Sequence, residues 1–180
     1  MKNKSLIFIV IHFLIVFNSC EDSSDKDGGL FYEDFSLTDI NPDSETYGQA
    51  IGLSFFNGKV SSYYFGDQGW GLCRNRFGGL QILYNDLTNE GYEDIEMVGI
   101  NGISFANEDL SGMIEGNTLP WLQDNDSEKI WDKWEVELRD FIIFDPGGNY
   151  YTKVNLTEVD PSIDHNYNNL KNLLIDALED

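Results

Sequence analysis

The chain has 180 residues, of which 41% are hydrophobic and 14% aromatic, with 11 Lys and Arg against 32 Asp and Glu. That length and apolar content build one domain with a real core and exclude intrinsic disorder. The net charge of −21 disfavours a nucleic-acid partner, whose phosphates need clustered Lys and Arg, and disfavours direct attraction to anionic lipid headgroups.

Lys2 and Lys4 make a basic start, and Leu6 to Phe17 form an apolar stretch broken only by His12. This stretch is too short to span about 30 Å of hydrocarbon as a helix, so it reads as a secretory signal rather than a membrane span. It ends in Phe17-Asn18-Ser19-Cys20, which resembles the lipobox of bacterial lipoproteins. The resemblance implies a signal peptide over residues 1–19 and a diacylglyceryl group on Cys20. It also implies a membrane-anchored chain in the bacterial cell envelope, on a periplasmic or a surface-exposed face. The alternative is an ordinary cleaved secretory signal with an incidental Cys20. Glu21 to Gly29 (EDSSDKDGG) has no apolar residue and predicts an acidic flexible tether over residues 20–30. An acidic stretch just after a lipidated cysteine resembles the surface-export signal of lipoproteins in Bacteroidota.

Residues 31–180 read as one domain. Lys59 to Phe65 (KVSSYYF) is β-branched and aromatic, a strand. After a loop holding Gly66, Gly69 and Gly71, the residues Leu80, Leu83, Tyr84 and Leu87 recur at helical spacing, and Gly91 ends that helix. Ile95 to Ile100 is a second strand. Asn107 is expected to cap a short helix carrying Leu110, Met113 and Ile114. Pro120 opens an extended piece, Trp121-Leu122, and Ser127 is expected to cap a helix burying Ile130, Trp131 and Trp134. Phe141 to Phe144 and Tyr150 to Val154 flank Asp145-Pro146-Gly147-Gly148-Asn149, a turn sequence that predicts a β-hairpin. Leu170, Leu173, Leu174, Ala177 and Leu178 line one face of a closing helix. The order predicts an α/β domain, a central mixed sheet flanked by helices with a late hairpin and a C-terminal helix.

Several local sequences carry a resemblance. Phe35 to Ser44 (FSLTDINPDS), then Tyr47-Gly48 and Gly58-Lys59-Val60, look like the opening of redoxin-type domains. Cys73-Arg74 followed by Leu80-Gln81 and Leu83-Tyr84 look like the helix after a redoxin active-site loop. Leu119 to Asp124, Trp131 and Asp140 to Asp145 resemble the N-terminal thioredoxin-like domain of selenoprotein P, as does Gly91-Tyr92 ahead of Ile95 and Asn101. The resemblance implies a thioredoxin-like fold from about Phe35 to Leu178. In dithiol members, two cysteines lie three residues apart where the first strand gives way to the helix. The first sits at the helix N-terminus, whose dipole favours a thiolate, and the second resolves the mixed disulfide. Here the matching segment is Trp70-Gly71-Leu72-Cys73. Cys73 takes the resolving position and Trp70 replaces the nucleophile. An indole cannot attack a disulfide, and the other cysteine, Cys20, is the expected lipid anchor, so a self-contained dithiol cycle is excluded.

Two functions from different classes remain. One is a thiol oxidoreductase or peroxidase-like enzyme with Cys73 catalytic and Arg74 and Arg76 near enough to favour its thiolate, acting on a peptide or protein thiol or disulfide. Against it, a free cysteine is commonly a small buried apolar side chain. The other is a redox-inactive binding module. In it Trp70, Leu119, Pro120 and Trp121 line a groove for an extended peptide or protein partner, with Pro120 matching the family's cis-proline. Alternatively, Trp70 folds onto the sheet and plugs the vacant site. His165 is the only histidine outside the expected signal peptide, so neither a zinc site nor a Cys-His-Asp triad is expected, and no cofactor or metal is implied. Asp124, Asp126 and Glu128 read as a solvated loop with a helix cap rather than a cation site. The glycine-rich segments lack the Lys and Ser or Thr of a phosphate-binding loop.

Overall fold

Two strands whose every residue is buried set the architecture. Val60–Gly66 and Asp140–Phe144 are covered on both faces, which demands packed layers on each side of the sheet. The computed structural model describes residues 32–179; the expected signal peptide, the expected lipid site at Cys20 and the expected acidic tether lie outside the described residues.

The strands are β1 (Leu37–Thr38), β2 (Ala50–Ile51), β3 (Val60–Gly66), β4 (Ile95–Asn101), β5 (Trp121–Gln123), β6 (Asp140–Phe144) and β7 (Tyr150–Asn155). The helices are α1 (Gly71–Asn89), α2 (Ser111–Ile114), α3 (Ile130–Lys133) and α4 (Asp164–Asp176). β1 and β2 form a small antiparallel pair, and the main sheet runs in the order β5-β4-β3-β6-β7. β3, β4 and β5 are parallel, while β6 is antiparallel to β3 and β7 to β6. This is the expected α/β architecture of a mixed sheet, a late hairpin and a closing helix.

Alternation along the strands sorts the core into two. On one face, Val60, Tyr64, Met97, Phe141 and Ile143 meet Cys73, Phe77, Leu80, Leu83 and Leu87 of α1 and Leu170 and Leu174 of α4. On the other, Tyr63, Phe65, Val98, Ile100, Ile142 and Phe144 meet an aromatic cluster centred on Trp134. Its ring lies 4.9 Å from Tyr32, 5.3 Å from Phe35 and 5.5 Å from Phe144. Such contacts are worth about 0.5–1.5 kcal/mol each beyond the burial itself, so rings do here what long helices do on the first face.

Two expected helix caps are corrected. Asn107 does not cap α2. The helix starts at Ser111, whose amide and hydroxyl both donate to Asp109. Ser127 does not cap α3 either. The buried Asp124 carboxylate accepts the amides of Ile130 and Trp131, each at 3.1 Å, while Asn125 takes those of Ser127 and Glu128. The loop folds back, so the acceptor comes from further upstream than a local cap would. Trp131 is only partly buried, unlike Ile130 and Trp134.

The edge strand β5 is fixed by one close approach. Its Trp121 ring closely approaches Gly99 of β4 and lies 4.9 Å from the Phe77 ring. A Cβ at Gly99 would stand 2.1 Å from Trp121 Cε3 and 2.8 Å from Phe77 Cε2. Gly99→Ala is therefore expected to overpack this core and lower stability by about 1–3 kcal/mol, read as a lower urea midpoint with an unchanged m-value.

Candidate functional site at the end of strand β3

β3 ends at Gly66, and a tied loop carries the chain into α1. The Gly69 amide donates to Asp67 Oδ1 at 2.8 Å, and the Gln68 amide to Asn101 Oδ1 at 3.1 Å. The Gln68 side chain donates to the Glu108 carbonyl at 2.7 Å and accepts the buried Trp121 indole N–H at 3.3 Å. Trp70 follows as the residue before α1, its carbonyl accepting the Arg74 amide at 3.1 Å. Its side chain is 52% exposed, whereas Cys73, three residues on and in the first turn of α1, is 0% exposed. Trp70 thus does not fold onto the sheet as a buried plug.

The side chain that meets both is Arg139, which the sequence reading missed. β6 pairs with β3 in the register Tyr64↔Phe141, and the Arg139 amide donates to the Phe65 carbonyl at 2.7 Å. Arg139 is thereby placed across from the loop. Its guanidinium carbon sits 5.3 Å from the centre of the Trp70 ring, a cation–π contact. Nε donates to Thr157 Oγ1 at 2.7 Å, and Nη1 lies 3.9 Å from Cys73 Sγ. Its φ is +73°, in the left-handed region that costs a non-glycine residue of order 1–3 kcal/mol. Below the thiol, the buried Tyr64 hydroxyl donates to the Cys73 carbonyl at 3.3 Å. Burial first, and then the neighbouring Cys73, hold that hydroxyl well above its ordinary pKa, so it remains a proton donor.

Arg74 and Arg76, expected beside the thiol, are engaged elsewhere. Arg74 donates to the carbonyls of Gln68 at 2.7 Å and Asp109 at 3.1 Å. Arg76 pairs with Asp160 at 2.8 Å and donates to the Leu156 carbonyl at 2.7 Å.

The expected groove is not assembled. Leu119 and Trp121 are buried, and the Trp121 indole reaches the loop only from beneath, through Gln68. Pro120 lines a cavity of about 480 Å³ with Phe55, Lys59, Tyr84 and Glu96. Trp121 pairs with Gly99, itself level with Tyr64 in mid-β3, so Pro120 stands just before the edge strand, which lies two strands from β3. No cis peptide occurs among the described residues. The strand that returns beside β3 is β6, and the residue ahead of it is Arg139. The apolar run Phe141 to Phe144 was the available signal, because the residue opening the central antiparallel strand faces the loop.

His165 is exposed on α4. Among the described residues no group of three or more His, Cys, Asp or Glu could hold a metal ion, and no helix is long and apolar enough to cross a membrane.

No family model and no curated protein matches the sequence. Solved structures do resemble the fold. The thioredoxin domain of a thiol-disulfide oxidoreductase from Bacteroides vulgatus is 17% identical with a TM-score of 0.61, over 82% of this chain and 96% of that one. Arabidopsis thaliana ScoI, solved with copper bound, is 15% identical with a TM-score of 0.60, over 80% of this chain and 98% of that one. BsSco, of the Sco family of cytochrome c oxidase assembly proteins, is 15% identical with a TM-score of 0.60, over 81% of this chain and 92% of that one. These likenesses establish that the domain has the thioredoxin-like fold.

The Arg76–Asp160 pair gives the scaffold behind the site a pH dependence. Burial pushes the Asp160 carboxyl up, but hydrogen bonds from Ser162 and the Arg76 charge outweigh it, leaving the pKa below the usual carboxylate value. A lowered folded-state pKa contributes stability above the unfolded value of about 3.9, lost as pH falls through the folded one. Asp160→Asn is expected to cost about 1–3 kcal/mol at pH 7 by leaving Arg76 unpaired. Urea unfolding at a series of pH values should show the gap to wild type closing below about pH 4.

Proposed function

We propose that the chain is a partner-binding domain on a thioredoxin-like scaffold, holding a peptide or protein at the end of β3 where Trp70 stands exposed. The carrying observation is the exchange of places at the loop. A half-exposed indole takes the nucleophile's position, and Cys73, the only cysteine among the described residues, is buried. Thiol–disulfide exchange needs an accessible thiolate and a resolving partner, whereas an exposed tryptophan on a rigid strand-to-helix junction is the type of residue that anchors an interface. The lipobox-like Phe17-Asn18-Ser19-Cys20 supports anchoring through a lipid on Cys20, after removal of residues 1–19. The acidic residues 20–30 would then hold the domain off the envelope membrane. The finer likeness to the N-terminal domain of selenoprotein P, carried by Leu119 to Asp124 and Asp140 to Asp145, belongs to the same proposal.

One observation favours a second reading, a single-thiol oxidoreductase or peroxidase-like enzyme. Arg139 Nη1 lies 3.9 Å from Cys73 Sγ, which sets a cation beside the only cysteine thiol among the described residues. That chemistry requires Trp70 and Arg139 to move aside for a disulfide or peroxide.

Alkylation of Cys73 in the native protein across a pH series separates the two. The expected result is labelling only at the rate of unfolding. Rapid native labelling with an apparent pKa well below about 8.5, with disulfide or peroxide turnover abolished by Cys73→Ser, would overturn the binding-module reading. In parallel, Trp70→Cys is expected to form a disulfide with Cys73, because bridging requires Cα atoms within about 7 Å. A pair of thiols that stays reduced under mild oxidant would show the two positions out of register.

A further inference from the structure

We infer that the Trp70 surface recognises a carboxylate on its partner through Arg139, with an apolar side chain of the partner lying against the indole; the inference rests on the partner-binding reading. In a chain with 32 acids and 11 bases, nearly three acids compete for each cation. Accordingly Lys59, Arg76, Lys133, Lys153 and Lys171 each pair with a carboxylate. Among the described residues three cations pair with no carboxylate: Lys129, Arg74, which is engaged by the Gln68 and Asp109 carbonyls, and Arg139, the one of the three that is stacked on the exposed Trp70 ring.

This is not for want of order. Thr157, the Trp70 ring and the Cys73 sulfur hold the guanidinium in place. A guanidinium carries five N–H donors. Two are accounted for by Thr157 and Cys73, which leaves three without a protein acceptor among the described residues. Fixed donors in a planar fork match a carboxylate, and pre-organisation reduces the entropy lost on binding. The first turn of α1, next to this group, carries no acidic side chain, so that helix end offers the arginine no carboxylate.

The backbone supports the assignment. At φ +73° glycine would sit without strain, yet the position holds an arginine whose side chain is pinned over the loop. The partner's chemistry follows from two scales of charge. Overall the chain repels polyanions, so the fit is to a single carboxylate beside an apolar residue. That carboxylate is either an Asp or Glu side chain or a chain's C-terminus.

The test uses the whole protein in detergent and three hexapeptide probes rich in leucine. One has a central glutamate and an amidated C-terminus, one replaces that glutamate with glutamine, and one is uncharged except for a free C-terminal carboxylate. NMR follows the indole N–H of Trp70 and the Nε–H of Arg139, and titration calorimetry gives affinities. At least one carboxylate peptide is expected to shift both signals and to bind at least tenfold more tightly than the glutamine peptide. Which of the two does so identifies a side-chain or a terminal carboxylate. Arg139→Gln should erase that tenfold preference. Arg139→Gly, which relieves the backbone strain, should do the same in a protein whose unfolding midpoint is not lowered. Equal affinity for glutamate and glutamine peptides, lost in Trp70→Ala, would overturn the carboxylate while leaving partner binding intact. Absence of binding by all three would overturn the inference. Coupled with rapid native alkylation of Cys73, it would overturn the reading beneath it as well.

Discussion

The antiparallel pairing of β6 with β3 is the constraint on which the rest of the molecule depends. Side chains alternate with a period of two, so a slip of one residue would send Phe141 and Ile143 to the aromatic face and Ile142 and Phe144 toward α1. Both cores would be lost together. The observed register also ends on the bond from the Arg139 amide to the Phe65 carbonyl, which sets an arginine across from the loop that leaves β3. One pairing therefore closes the core and writes the site.

The site that results is recognisable by position and altered in chemistry. The scaffold brings a loop, a helix N-terminus and the start of the antiparallel strand to one place. In this chain those three elements supply an indole, a buried thiol and a guanidinium. Cys73 packs with Tyr64, Phe77 and their neighbours as part of the core, with its side chain wholly buried. The proposed partner-binding reading asks only for recognition, because an aromatic ring and a fixed cation need no redox partner to bind.

The sequence disclosed most of the scaffold for physical reasons that are themselves local. KVSSYYF and FIIF are runs that only a doubly covered strand can bury, the Pro-Gly-Gly turn forces a hairpin, and the leucine spacing of α1 and α4 is helical. The small β1–β2 pair, two residues in each strand, is too short to show periodicity. The caps at Asn107 and Ser127 failed because a carboxylate can arrive from outside the first turn, as Asp124 does. At the site, Trp70 and Cys73 were legible from their spacing, but Pro120 was set against them in place of Arg139. Which strand lies beside β3 is a fact of sheet order, and no periodicity encodes it. A positive φ at an arginine is equally silent in sequence, since glycine or asparagine is the usual marker.

The two readings of this site make opposite demands on Arg139. As a cover, its guanidinium touches the Trp70 ring and the Cys73 sulfur at once, so a thiol reaction requires it to leave. As a receptor, it must stay, and a carboxylate bound to its remaining donors would neutralise it where it lies and add a further contact holding it there. Partner binding and thiol chemistry are then not two activities of one surface but competitors for one side chain. The Arg139 amide donates to the Phe65 carbonyl and its carbonyl accepts the Leu156 amide, which helps offset the strain of the left-handed backbone, while Nε donating to Thr157 holds the guanidinium over the thiol. With Arg139 anchored at its backbone and at Nε, the covered thiol and the exposed aromatic–cation surface are two aspects of the same conformation.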